Sequence, residues 1–493
     1  MSLLMREFLL ILLIVATGIG VMRMFGGSAF PVFTSASAFP LGVSVWVGCY
    51  LLIYVLPFPL EAALPFDVHL TFVLYCLVAA VMIGLGVYRH RLTAKEVLTY
   101  GIATGLLGFL SIITTHLPVV AALGVDSFFF LDITQGLDTS LQRGWAIFNQ
   151  CVQALSLLIH YDYVLTTVPA LSAASLVALM AYLVFSEVAP LLPRSRLGIS
   201  YVICLSFLPA FLMFSPFLGL YMLVFFKNQV LPATLLFLFV GSWWFATRKE
   251  RPVILYAGSM ALMAFTLTRM EGLLFAIVLW LILVSDPDIY PIQQRKISLI
   301  MLCIMLPWHL YVVWTLWGGT TKFSAIHFLI ITGAFMTVML GFQLNRWETG
   351  RQILRSLVYL IPLIGFEGLM ICIWLKPDHM LTTIHHFLMN LLIDHYGGWG
   401  SLWYFVVISG TVVGVYRIKK LYRGTLGRLG SAWLSTLWLL LGIIFFRDPI
   451  RLGFGDSANR MLFHVLPLLL VWLVIQIGQL RSKQPRRTGV CGS

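Results

Sequence analysis

Charge is what this sequence has least of. Asp and Glu number 19 and Lys and Arg 32, so that only 10% of its 493 residues are charged while 60% are hydrophobic. A chain so poor in charge cannot cover itself with a water-facing surface, which excludes an ordinary soluble enzyme or binding domain. Its seven cysteines are scattered singly, several of them inside apolar runs (Cys76, Cys204, Cys303, Cys372), so neither a disulfide framework nor a thiolate metal site is indicated. Absent too are a Walker loop, a G-x-S-x-G elbow and any tandem metal motif. Arg6 precedes an apolar run in the manner of a signal peptide, but no small-residue cleavage site follows, and the run reads as a membrane helix. The net charge of +13 lies in short clusters between apolar runs, which points away from nucleic acid.

What the chain does have is apolar runs of about 17 to 23 residues, each long enough to cross a hydrocarbon core as a helix. Lipid leaves no backbone group unpaired, so the expected fold is all-α: a polytopic membrane helical bundle of about 12 to 15 transmembrane helices. Runs near 7–24, 41–57 and 68–88 form an amino-terminal set within residues 1–95, of unassigned role. Twelve more follow in a core over 96–478, and 479–493 is a basic tail.

Basic clusters orient the bundle. Arg89 to Lys95, Arg194 and Arg196, Arg248 to Arg251, Arg295-Lys296, Arg346 and Arg351, Arg417 to Arg428, and Arg481 to Arg487 alternate with loops poor in Lys and Arg, as the positive-inside tendency requires. The opposite, external loops are 116–163, 215–229, the junction at Thr268 to Glu271, 318–323, 376–399 and 447–459. Polar chemistry gathers on that one side rather than at mid-bilayer, which favours an interfacial enzyme over a carrier. Glu367, inside the run IPLIGFEGLMICIWL, reads as a hydrogen-bonding group within the bundle and is the strongest feature in favour of a transporter.

In the longest external loop, GVDSFFFLDITQGL places Asp126 ahead of Phe128-Phe129-Phe130. A carboxylate there is either a helix N-cap or, partly desolvated at the interface, a general base toward a hydroxyl. Asp132 and Asp138 follow at six-residue spacing, on other helical faces, and read as solvated or supporting groups. Arg269 and Glu271 break two apolar runs, either as a pair ending two helices or with Arg269 holding a phosphate. Arg447, Arg451, Arg460 and His464 lie on the external side against the positive-inside tendency and call for an anionic partner. His385 and His386 sit in KPDHMLTTIHHFLMNLLIDHYGGWG, whose spacing suits phosphate or sugar contacts, or interfacial packing, better than a zinc site.

With these residues in view, the chain resembles the GT-C class of integral-membrane glycosyltransferases, which use polyprenyl-phosphate sugars at the outer membrane face. VDSFFFLDITQGL followed by RGWAIFN is similar to the D-D-A-F motif, amphipathic aromatic helix and Gly-to-Phe-Asn segment that open the first large external loop in one branch. TLTRMEGLLF resembles its T-R-P-E-G-L-L segment, LPWHLYVVW its P-W turn, and SANRMLFHVLPLLL its carboxyl-terminal R-Y-x-L-P segment. Val125 stands in place of the first acid and Asp132 where arginine is common.

The resemblance implies an inverting transfer with Asp126 as base, onto an envelope glycan or lipid acceptor at the extracytoplasmic face of a bacterial cytoplasmic (inner) membrane. It implies a lipid phosphate stabilised by Arg269 and Arg460, with Lys227, Arg451 and His464 behind them. No cofactor is assigned, and Val125 argues against a divalent metal held by paired acids. Two rival classes are an O-antigen polymerase or ligase, which HHFLMNLLIDHYGGWGSLW resembles, and a non-enzymatic lipid or sugar flippase.

Overall fold

Runs this apolar fold as helices because each satisfies its backbone internally, and small residues let neighbouring helices approach. The computed structural model describes residues 3–55, 68–114, 155, 158, 167–192, 195–224, 229–248, 252–268, 272–300, 309, 323–417, 424–444, 450–453 and 457–480. Among the described residues every regular element is helical.

The first half comprises α1 (Leu3–Met24), α2 (Pro31–Val55), α3 (Val68–Arg89), α4 (Ala94–Thr114), α5 (Thr167–Val188), α6 (Arg196–Phe214), α7 (Phe217–Val224), α8 (Val230–Arg248), α9 (Ile254–Thr266) and α10 (Gly272–Val284). The second comprises α11 (Phe323–Leu344), α12 (Glu348–Leu375), α13 (Pro377–Leu392), α14 (Asp394–Gly397), α15 (Leu402–Arg417), α16 (Gly424–Ile444) and α17 (Ser457–Leu480). Among the described residues eight helices are long and apolar enough to cross a membrane (α1, α2, α3, α5, α6, α8, α16, α17), and α12, bent by 50°, makes a ninth if its halves are one span. The chain thus has the make-up of a multi-pass membrane protein.

Nearly all of Ala458–Leu480 of α17 is buried, and it packs against α5, α6, α8, α15 and α16. Beside this group, α1 and α2 pair closely. A Cβ on Gly18 would lie 1.8 Å from the Ala38 carbonyl oxygen, and one on Gly42 would lie 1.9 Å from that of Ile14. Two glycines on facing helices thus set the approach, as small residues do between membrane helices.

Contacts at the helix ends show that the described ends next to the clusters at Arg89, Arg196 and Arg248 share one face. Arg89 donates to the Met24 carbonyl, Phe30 packs on Phe245, and Trp244 donates to Glu187. On the opposite face, residues 217–218, 229, 386–400, 450–453 and 459–464 meet. The alternation read from the Lys and Arg clusters therefore matches how the described helix ends gather.

Three features differ from the sequence reading. The second helix begins at Pro31, ten residues before the apolar run itself. Pro suits a first helical turn, and the hydroxyls that follow are all bonded, Ser35 to the Pro31 carbonyl, Ser37 to that of Phe33 and Thr34 to the Gly27 carbonyl in the preceding turn, so the segment carries three polar side chains yet is buried. The stretch 376–399 is largely helical. Glu367 is exposed, on an outward face of α12 with Leu363, Ile364, Met370 and Ile371, rather than inside the bundle.

Two buried ion pairs also went unforeseen, because their partners are far apart in sequence. Arg23 pairs with Glu96, which further accepts from the Thr93 amide and hydroxyl. Arg428 pairs with Asp286 in the turn after α10, where the Trp243 indole donates to the other carboxylate oxygen at 2.8 Å. Burial pushes the Asp286 carboxyl up, while Arg428, the Asp288 amide and Trp243 push it back down.

Removing one partner of such a pair strands a buried charge, whereas removing both need not. Arg428→Gln is expected to destabilise the folded protein by about 3–5 kcal/mol, and Arg428→Met with Asp286→Leu to recover most of it, in thermal melts in detergent. In the single variant burial holds a proton on Asp286 that the unfolded chain has already lost, so its melting temperature falls as pH rises through the carboxylate range. Equal melting of both variants at all pH values would remove the pair from the stability account.

Candidate functional site

The face opposite the basic clusters is built from α7, α13, α14, residues 450–453 and the first turns of α17. The sequence gives α13 an amphipathic pattern. Pro377 occupies its first position and Asp378 its first turn, and Met380, Thr383, Phe387, Asn390 and Leu391 form the buried stripe while Leu381, His385 and Leu388 are exposed. Such a helix suits the membrane interface.

Asn390, fully buried, is the joint of this face. Its side-chain amide donates to the Arg451 carbonyl at 2.9 Å, and its oxygen accepts from the Gly453 amide at 2.9 Å. One turn earlier, His386 Nδ1 lies 2.6 Å from the Ile450 carbonyl oxygen. A carbonyl only accepts, so Nδ1 carries the proton, and in the neutral ring Nε2 is then the basic nitrogen. The His385 ring lies 5.8 Å from that of His386, on the exposed side of the helix.

Gly397 and Gly398 let the chain turn back under this helix. A Cβ at Gly397 would sit 1.6 Å from the Asn390 carbonyl oxygen, and Gly398 has φ +67. The Gly398 carbonyl accepts from the Leu218 amide at 2.8 Å, tying α7 to the turn. Next in the chain, the indole of buried Trp399 faces the Asn459 side-chain oxygen at 3.5 Å, while the Asn459 amide donates to the Gly453 carbonyl at 3.0 Å. The first turn of α17 is thereby fastened to both 450–453 and the glycine turn.

Arg460 and His464 lie one turn apart on α17. Burial raises the Tyr221 hydroxyl on α7, and the Arg460 guanidinium acts in the opposite direction, which places that cation beside α7. His464 is buried and its Nε2 donates to the Gln229 side-chain oxygen at 2.9 Å. Its ring stands edge-on to Phe265 at 6.1 Å. The end of α9 that leads through Thr268 toward Arg269 is therefore close to His464.

Of the residues singled out from sequence, His386, Arg451, Arg460 and His464 are brought into one connected assembly, with His385 on its exposed margin. Asp126, Asp132, Lys227, Arg269 and Glu271 lie outside the described residues. Asn390, Asn459, Gln229, Trp399 and Tyr221 were missed. Asn390 had a signal in principle: it is a polar amide on the same helical stripe as Met380, Thr383 and Phe387. Among the described residues no three His, Cys, Asp or Glu side chains converge as metal ligands. At this end of the bundle lie the segments that carry Arg451 and Arg460 and two imidazoles whose N–H groups are already engaged, His386 with the Ile450 carbonyl and His464 with the Gln229 side-chain oxygen. No protein-family model, curated protein or solved structure matches this chain.

Asn390→Leu leaves the Gly453 amide and the Arg451 carbonyl without their side-chain partner at a buried joint, a loss of about 1–3 kcal/mol. The expected result is faster hydrogen exchange at 450–453 than in wild type, with exchange in α1 and α2 unchanged. Unaltered exchange at 450–453 would show that another contact holds this segment.

Proposed function

We propose that the protein is a membrane glycosyltransferase of GT-C type. It transfers a sugar from a polyprenyl-phosphate donor to a glycan or lipid acceptor at the extracytoplasmic face of a bacterial inner membrane. In this reading the bundle has 12 to 15 spans, and the face bearing Arg451, Arg460, His386 and His464 meets the donor headgroup. The observation that carries it is the joining of α13, 450–453 and α17, the segments that bear these residues, at the end of the bundle away from the basic clusters.

Asp126 removes the acceptor's hydroxyl proton while that oxygen forms a bond to the anomeric carbon. The bond from that carbon to the phosphate oxygen breaks, and its electron pair leaves on the lipid phosphate. Negative charge grows on the phosphate as the bond breaks, so cations already in place stabilise the transition state without reorganising. Arg460 and Arg269 have that role, with Lys227, Arg451 and His464 in support. Asp132 and Glu271 contribute to the sugar and turn environment, and His385 and His386 to headgroup contacts.

A second reading, an O-antigen polymerase or ligase, draws on α13, whose His386 and Asn390 are tied directly to the Arg451 segment.

The test is label transfer from a panel of polyprenyl-phosphate sugars in membranes with matched amounts of wild type, Asp126→Asn and Arg460→Gln. Loss of general-base catalysis lowers transfer about 10²–10⁴-fold with donor binding retained, and loss of one electrostatic donor lowers it about 10²–10³-fold. Equal transfer by wild type and Asp126→Asn removes Asp126 as base. Absence of transfer from every donor rejects this reading in favour of the polymerase, ligase or flippase alternatives.

A further inference from the structure

A second polar site lies on the face where the basic clusters gather, far along the bundle from the assembly above. The end of α1, the turn 25–30, the turn joining α3 to α4 and the start of α9 enclose a cavity of about 670 Å³, whose lining includes Phe25, Ser28, Arg89, Arg91, Glu96 and Val253. That volume is in the range of small-molecule and headgroup sites.

The electrostatics of this cavity favour an anion. Glu96 is its acidic group, and it is already engaged by Arg23, by the Thr93 amide and hydroxyl at 2.9 Å each, and by the Tyr100 hydroxyl at 3.3 Å. Arg23 also donates to the His90 carbonyl, so the neutralised pair pins the α3–α4 turn onto α1. Around this floor Arg89 and Arg91 supply charge at the rim, both exposed. Arg89 is oriented by a 2.7 Å bond from Nη1 to the Met24 carbonyl, which uses one of its five N–H groups. Two guanidinium groups two residues apart, one held in place, match the geometry of a phosphate.

The surroundings indicate what carries the phosphate. The turn bearing both arginines joins two helices whose outward stripes are bare and apolar: Leu77, Val81 and Leu85 on α3, and Leu98, Ile102 and Leu106 on α4. Tyr88, 87% exposed, stands at the end of α3 beside Arg89, where aromatic residues mark a membrane interface. A soluble anion would have no use for that wall. A lipid whose phosphate enters the cavity would lay its chains along it.

We infer that the cavity between the α1 end and the α3–α4 turn binds the phosphate headgroup of an anionic membrane lipid through Arg89 and Arg91, with the acyl chains against α3 and α4. This site is independent of the glycosyltransferase reading and lies at the other end of the bundle.

The experiment is a titration of the purified full-length protein, in neutral detergent, with short-chain phosphatidylglycerol, with bound lipid read by native mass spectrometry. Loss of a charge-assisted contact corresponds to about tenfold in affinity, so Arg89→Gln with Arg91→Gln is expected to raise the dissociation constant by at least that. Arg91→Gln alone, which leaves the Arg89 bond to Met24 intact, gives part of the loss and guards against misfolding of the double variant. Lys95→Gln, a cation on the same face outside the cavity lining, leaves binding unchanged. Equal binding by wild type and the double variant, or an equal loss in Lys95→Gln, overturns the site. Glycerol phosphate displacing the lipid at equal concentration overturns the lipid assignment in favour of a soluble phosphate ester.

Discussion

The enclosure of α17 is the constraint on which the rest depends. A helix packed on nearly every side must satisfy each polar atom it carries from within the protein. Its polar groups near the first turns, Asn459 and His464, accordingly meet Gly453, Trp399 and Gln229. Near its other end, the indole of Trp472 donates to the Leu426 carbonyl on α16. Because these bonds reach to Gln229 just before α8, to the glycine turn after α14, to α16 and to the 450–453 segment, the position of one buried helix determines where separate parts of the chain meet.

The two faces of the bundle use their scarce charge differently. On the basic face, buried ion pairs act as clamps: Arg23 with Glu96 closes α1 on the α3–α4 turn, and Arg428 with Asp286 closes α16 on the turn after α10. Burial makes such pairs poor sources of net stability but strong determinants of which partners go together, since a mismatch leaves a desolvated charge. On the opposite face the bonds are mostly between neutral side chains and backbone carbonyls or amides. Those bonds orient the imidazoles and hold the segments that carry Arg451 and Arg460.

In the glycosyltransferase reading, a site for an anionic leaving group needs cations set before the reaction on a fixed scaffold. Asn390 and the Gly397-Gly398 turn contribute that kind of scaffold: they fix backbone through uncharged contacts. The glycosyltransferase reading takes the arginines so positioned as the phosphate-stabilising set. Lipid headgroup binding on the basic face uses the same guanidinium chemistry where the Arg23–Glu96 pair has already cancelled the one lining carboxylate.

Sequence alone determined that the protein is a helical membrane bundle, because 60% apolar composition and repeated long apolar runs leave no other way to satisfy the backbone in lipid. Lys and Arg placement, which follows a one-dimensional rule, also matches how the described helix ends gather. Arg447, Arg451, Arg460 and His464 were read as calling for an anionic partner because cations away from the basic face are unexpected there, and of these Arg451, Arg460 and His464 lie among the described residues at that end. Only the tertiary structure decided which residues meet. Arg428 and Asp286 are separated by 142 positions and Arg23 and Glu96 by 73, and no local pattern encodes such a pairing. The helicity of 377–392, hidden from hydropathy by its polar face, and the outward turn of Glu367 were likewise settled by packing, because burial of a face depends on the neighbours that cover it.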